Sequence, residues 1–463
     1  MTPASFRLAV VTTVFYPYSH ADVIVSRWLA PWRDDARASW VPRTQIASMF
    51  VEQTPARDIR DDPELLAWLE ARERPYHVVP DTDMARYTSE KQGVPMFPSI
   101  RDALCLGGRE LAVDGVLLIG EHGQYPFNES GQKLYPRKEM WDEIVAVFRQ
   151  SGRVVPVFND KGLSWNPDWA REMFQTARAM NIPFMAGSSL TLNGFARERY
   201  GTEPLPGYHI EESVSFFGAG PESYGFHSLE WTGSLLEQFP ASAPLSLGEP
   251  NAMPESLADD GAWPFIGVDA LEVWEGEAVW EALDANALPH DLWRLAAAQL
   301  GLTEEEMRAS CRAANENAPA TRQEAEWFRA PAAFRLHHQN GTRSNHVFLP
   351  VPGIRFVMAM RYHDPGGEAH LFAARNFADE ADDAPLGHFA RLNAHVQEFM
   401  LSGVASQPLE RTLLATLSIA QVMRALADEK HHGERVPASA SGPPLRTENP
   451  EIQNLPAGLA KDV

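Results

Sequence analysis

Residues 154–190 read VVPVFNDKGLSWNPDWAREMFQTARAMNIPFMAGSSL and constrain the fold more than any other stretch. The β-branched run at 154–158 is a buried strand that ends in Asn159-Asp160-Lys161. An amphipathic helix follows, and then a second short strand at 183–187 that ends in Ser188-Ser189. A strand, a helix and a strand in this order belong to an open α/β sheet, where ligands bind outside the carboxyl ends of the strands. Both polar clusters fall on that rim. Lys161 and Asp160 are therefore candidates for proton transfer, and Ser188 and Ser189 for binding substrate hydroxyls.

The same alternation runs upstream. The pattern predicts a strand over 7–13, a helix over 21–32, a strand over 45–51 ending at Glu52-Gln53, a helix over 63–72 and a short strand over 77–79. A helix over 100–106, a strand over 114–120 ending in Glu121-His122-Gly123, and a helix over 138–150 complete the series. The expected fold is α/β: a Rossmann-like, doubly wound parallel sheet over 1–190. Beyond it the grammar changes. Residues 202–211 are Pro-rich and loop-like, 223–239 form a helix bearing His227, 269–280 are strand-like, and 304–317 form a polar helix. Alternation over 346–361 and 369–375 predicts a large open, mainly antiparallel sheet with one face in solvent. Helices over 388–401 and 410–427 complete an α+β domain spanning 191–430, which is the expected substrate and dimerisation domain. The tail, 431–463, is rich in Pro, Ser and charge and reads as disordered.

Composition excludes several classes of function. With 40 basic and 62 acidic residues in 463, the net charge of −22 is spread along the chain and argues against a nucleic-acid or anionic-membrane partner. No apolar run approaches a membrane span, the first residues lack a signal-peptide layout, and the expected location is the cytoplasm. The two cysteines, Cys105 and Cys311, are too few for a disulfide framework or a thiolate metal site.

These elements, with FNDKGLS at their centre, resemble the glucose–fructose oxidoreductase / inositol dehydrogenase / rhizopine-catabolism family (Gfo/Idh/MocA-type oxidoreductases). Asp160-Lys161 stand in the places of that family's strand–Glu/Asp-Lys-Pro–helix signature, with Gly162 where proline is usual. Ser223-Tyr-Gly-Phe-His227 resembles its Asp-x-x-x-His signature, with serine at the aspartate position beside Glu222. QPLERTLLATLSIAQVMRAL resembles its final helix. The resemblance covers roughly residues 5–430 in element order. It implies a sugar, cyclitol or related polyol as substrate and NAD or NADP as cofactor. Catalysis would fall to Lys161, His227 and Asp160, cofactor contacts to Thr13, His20, Glu52, Glu121 and His122, and substrate contacts to Ser188, Ser189 and Tyr224. It also implies a homo-oligomer paired through the open sheet.

One departure stands out. Dinucleotide-binding domains place G-x-G-x-x-G after the first strand, because a side chain there keeps the backbone from the pyrophosphate. This chain has TTVFYPYSHAD and no glycine from Thr12 to Trp40. Phosphates would have to rest on a helix start near 19–22, while Glu52 stands in the place of the ribose-binding acid and favours NAD.

Each candidate also has a plainer reading. Lys161 can be a surface lysine paired with Asp160, His227 a core histidine on an apolar helix, and Glu121-His122-Gly123 a loop bonded to its own backbone. The insertion 124–136 can fold over the pocket as a lid. His337-His338 and His431-His432 read as solvated loop residues. His20, His122, Glu121, Asp160 and His227 offer N/O donors, but no H-x-x-x-H or H-E-x-x-H spacing supports a metal, and none is expected. Two other readings of the whole chain stay open: a non-redox acid/base or metal-assisted lyase or hydrolase on a carbohydrate-like ligand, and a non-catalytic ligand-binding relative.

Overall fold

A computed structural model describes residues 6–29, 41–54, 83–193, 209–237, 267–316, 329–350, 356–376 and 387–438. The helix and strand expected over 63–72 and 77–79, and the tail beyond 438, lie outside them. The first sheet joins β1 (Phe6–Thr12), β2 (Thr44–Val51), β3 (Gly115–Ile119), β4 (Val157–Asp160) and β5 (Phe184–Gly187) in the order β2-β1-β3-β4-β5. Every ladder in it is parallel.

Apolar residues on both sides of these strands demand cover on both faces, because successive side chains of a strand point to opposite faces. On one face Ala9, Val11, Val116 and Leu118 pack with Trp141, Ile144 and Phe148 from the helix Arg137–Ser151 and with Met173 from the helix Pro167–Ala179. On the other, Leu8, Val10, Leu117 and Phe158 meet Val23 and Ile24 of α1 (His20–Leu29). The two late helices Gly387–Ser402 and Leu409–Ala427 also fold onto this sheet. Phe389, Leu392 and Val396 join the α1 side, and Leu409, Leu413 and Leu417 join the opposite side. Cys105 and Cys311 are buried and free.

The second sheet has seven strands. They are β6 (His209–Phe217), β7 (Val268–Glu275), β8 (Ala332–His338), β9 (Arg343–Phe348), β10 (Phe356–His363), β11 (Ala369–Asn376) and β12 (Val436–Pro437). They run in the order β11-β10-β6-β9-β8-β7-β12, with β6–β9 the one parallel ladder. The alternation that predicted one solvated face instead serves two packed faces. Ile210, Leu271, Phe334 and Met358 meet Phe226 and Leu229 of the helix Pro221–Glu237. Phe216, Val347 and Val357 meet Trp280, Leu292 and Trp293 from helices on the far side.

One further expectation is corrected here. His337 and His338 lie in β8 and not in a loop, and His338 is buried with its Nε2 2.8 Å from Ser344 Oγ. The cause is that polar side chains that bond within the sheet produce the same sequence pattern as solvated ones. The first residues of the tail are placed as well, since β12 pairs with β7. Among the described residues no helix is long and apolar enough to cross a membrane.

Candidate functional site

In the first sheet the strand order reverses between β1 and β3, and a crevice at the carboxyl ends of those strands follows from that topology. Thr13, just past β1, donates its hydroxyl to the Glu121 carbonyl at 2.6 Å and ties the two strand ends together. Among the described residues, three of the six non-glycine residues with positive φ sit on this rim: Tyr18 (64°), His122 (66°) and Lys161 (64°). Left-handed backbone is disfavoured for side-chain-bearing residues and clusters at functional sites. At Lys161 it is held by the Gly187 N–H, which donates to the Lys161 carbonyl at 3.1 Å. The Asn159 side-chain amide also donates to the Lys161 and Gly162 carbonyls.

The turn sends Lys161 to Glu121 and not to Asp160. Lys161 Nζ lies 3.0 Å from Glu121 Oε2, and Arg137, from the first turn of its helix, pairs with the other oxygen. Glu121 and Arg137 are buried, and the Lys161 side chain is only 11% exposed. The reading of Lys161 as a surface lysine is therefore corrected. Asp160 instead meets His20 Nδ1 at 2.5 Å. Burial alone would push the lysine down, but Glu121 first and Asp160 next outweigh it and raise Lys161 above its ordinary range. Burial would push Glu121 up, and Lys161 and Arg137 overturn that and hold it well below the carboxylate range. At neutral pH this is an ammonium beside a carboxylate.

Two of the imidazoles around it, His122 and His227, are neutral at neutral pH. Burial, with the charge of His20 next, holds His122 down to about 3. Its ring stands edge-on to His20 at 5.1 Å and stacks on Tyr16 at 5.9 Å. Burial also drives His227 well below its usual value, with Lys161 and His20 as the next contributors, so these three groups share one electrostatic neighbourhood. His227 Nδ1 meets Ser188 Oγ at 2.6 Å, Ser188 N donates to Glu230, and Tyr224 packs against the ring at 5.7 Å. Ser189 is buried where a short 3-10 turn begins after β5.

Sequence reasoning missed Arg137 and Lys133, and named Glu222 only as the neighbour of Ser223. A cation in the first turn of a helix opposes the helix dipole, and that was the available signal for Arg137. The insertion 124–136 links the end of β2 to the helix that bears His227, and Gln132, Lys133 and Tyr135 line the cleft. Gln124 exchanges hydrogen bonds with Gln53, Tyr125 donates to Glu52, and Lys133 N donates to Glu222 Oε1 at 3.1 Å on the helix that bears His227.

The loop after β1 stands where a dinucleotide cradle would lie, and it is filled. Phe15 is fully buried in it. Ser19 Oγ accepts from the Tyr16 and Asp22 N–H groups. The buried Asp22 carboxylate, in the first turn of α1, accepts from Tyr18 N at 2.8 Å and from the Ser26 hydroxyl. The N–H groups of Tyr16, Tyr18 and Asp22, which could face a pyrophosphate, are already engaged within the loop, and the buried Asp22 carboxyl group stands beside them. Glu52 is taken by Tyr125. These residues do not fit a pyrophosphate held on the helix start in the ordinary way. As for metals, among the described residues the only group of donors mutually close enough for one ion is Asp364, Glu368 and His370, at the β10–β11 turn of the second sheet.

No protein-family model matches the chain, and no curated protein matches it in sequence. Several solved structures are similar. Apo scyllo-inositol dehydrogenase from Lactobacillus casei aligns over 95% of this chain and 100% of its own, at 9% identity and a TM-score of 0.48. GenD2 from gentamicin A biosynthesis, in complex with NAD, aligns over 94% and 97%, at 12% identity and 0.49. Aldose-aldose oxidoreductase from Caulobacter crescentus, complexed with glycerol, aligns over 94% and 99%, at 13% identity and 0.45. Likenesses of this degree assign neither an activity nor a ligand to this chain, whose chemistry is read from its own side chains.

Proposed function

We propose that the chain is a divergent Gfo/Idh/MocA-type oxidoreductase that moves a proton at a hydroxyl- or carbonyl-bearing carbon of a sugar, cyclitol or related polyol. The observation that carries the proposal is the buried Lys161 ammonium, held at the strand-end rim by Glu121 and sharing its surroundings with neutral His227. Lys161 hydrogen-bonds the reacting oxygen and supplies the proton as a carbonyl becomes a hydroxyl. Glu121 keeps that proton on the lysine until it is needed. His227, whose Nδ1 is engaged by Ser188, offers Nε2 to a second substrate hydroxyl, with Tyr224, Ser188 and Ser189 completing that wall. Asp160 acts through His20, which it orients.

Hydride chemistry of this class calls for NAD or NADP, and the filled β1–α1 loop requires that it be held otherwise than on the helix start. The same filled loop favours a second reading, a non-redox acid/base lyase or hydrolase on the same class of ligand. Titrating the purified protein with NADH and with NADPH, while following the fluorescence of the reduced nicotinamide, separates the two. Saturable enhancement with either supports the oxidoreductase, and flat titrations with both overturn it in favour of the second reading.

A further inference from the structure

The cleft beside Lys161 is cationic in a chain whose net charge is −22. Its lining carries three cations, Lys133, Arg137 and Lys161, against two carboxylates, Glu121 and Glu222. Glu121 is shared by two of those cations, so the buried Arg137–Glu121–Lys161 cluster holds one positive charge more than it balances. Asp160 adds to the field at Lys161 but is paired with His20 and does not line the cleft. Arg137 Nε is buried, and it has no hydrogen-bond partner among the described residues. The guanidinium lies over the Tyr135 ring, 4.9 Å from its centroid, which fixes its plane. Lys133 makes no side-chain ion pair among the described residues, and its ammonium stands 5.6 Å from the ring centroids of Phe127 and Tyr135. A buried donor without a partner and an uncompensated buried charge both call for an acceptor. Gln132, Ser164 and Ser223 on the same lining supply neutral polar groups suited to hydroxyls.

We infer that this cleft selects a polyol that carries a carboxylate, of the aldonic or uronic acid type, with the carboxylate between Arg137 and Lys133 and the reacting carbon at Lys161. A single surplus charge matches a monoanion, and a guanidinium edge matches a planar carboxylate. The inference rests on the proposed polyol chemistry and adds the substrate's charge to it.

The test is calorimetric titration of the full-length protein with sodium D-glucuronate and sodium D-gluconate. The neutral comparison is D-glucose and myo-inositol, and the anionic comparisons are D-glucose 6-phosphate and acetate. One of the sugar acids is expected to bind at least about tenfold more tightly than the neutral polyols, the worth of one charge-assisted hydrogen bond. Added salt should weaken the acid while leaving the neutral polyols unchanged, a measurement that needs no variant. Arg137→Gln should bring acid and neutral sugar to similar affinity. Neutral polyols binding as tightly as both acids would overturn the charge assignment and leave the polyol reading standing. Acetate binding as tightly as the sugar acids would overturn the polyol reading and leave an anion site. Tighter binding of glucose 6-phosphate would replace the carboxylate with a dianion, and no binding of any probe would remove both proposals.

Discussion

Replacing Glu121 with glutamine tests the charge arrangement on which the proposed chemistry depends. The substitution keeps the shape and removes the one carboxylate that faces both Lys161 and Arg137. At the 3.0 Å separation of Lys161 and Glu121, the attraction between unit charges is about 5.5 kcal/mol at an effective dielectric constant of about 20. Desolvation offsets part of this in the intact pair, but the variant leaves two buried cations facing each other. Breaking a buried pair costs about 3–5 kcal/mol. The glutamine carbonyl still accepts a hydrogen bond, which puts the expected loss near the lower end, about 3 kcal/mol at pH 7.

The loss should depend on pH with a defined sign. The depressed Glu121 gives stability that is present above its unfolded value and is lost as pH falls through the folded one. The gap between wild type and variant should therefore close as pH drops below about 4.5. The raised Lys161 gives stability that is present below its unfolded value and is lost as pH rises through the folded one. In the variant, Lys161 keeps the burial but loses its main partner, so its folded value falls and the variant regains stability as pH rises. The gap should be widest near neutral pH and narrow on both sides. Urea unfolding of both proteins at a series of pH values measures it. A loss at pH 7 below about 1 kcal/mol, as for an exposed ion pair, or a gap that does not vary with pH, would refute the reasoning.

Two structural predictions complement this one. Gly187 has φ +132°, and a Cβ there would lie 2.5 Å from Gln407 Nε2 and 2.8 Å from Glu230 Oε2. Gly187→Ala should cost about 1–3 kcal/mol in urea unfolding and should displace Ser188 from His227, read as a changed His227 imidazole NMR signal. Trp141, fully buried and stacked on Phe184 at 4.3 Å, should cost about 3–5 kcal/mol in unfolding when changed to alanine. That change should leave the His227 signal in place, because Trp141 packs on the sheet face and not on its rim.

Much of the fold was legible because β1 and β3 are apolar on both sides and demand cover on both faces, which, with helices alternating between them, makes a parallel sheet. The second sheet was harder to read. In β8 and β9, His338, Ser344 and His346 bond to one another inside the protein, and His346 continues to Ser228 and Ser215. Satisfied buried polar groups leave the same trace in a sequence as a solvated loop. The candidate site shows a different limit. Asp160 and Lys161 are adjacent in sequence, which suggested a pair, yet neighbours at a strand end diverge to opposite sides. Asp160 goes to His20, 140 residues away, and Lys161 to Glu121, 40 residues away. Adjacency identified the place but not the partners.

The turn at Lys161, with its positive φ, is braced from several directions, the last helix among them. Such a backbone costs about 1–3 kcal/mol and persists only where its surroundings over-determine it. Here the Gly187 N–H and the Asn159 amide hold the Lys161 carbonyl, and Thr416 accepts from Leu163 N two residues beyond. Gln407 and Thr412 donate to the Ala186 carbonyl on the adjoining strand. Arg411 reaches the buried Glu230, which in turn holds Ser188 N. Residues 407–416 thus brace both strand ends and the His227 helix at once. A turn held from so many directions keeps the ammonium where Glu121 can reach it. The polar residues of the Leu409–Ala427 helix, costly to bury for packing alone, are accounted for by that bracing.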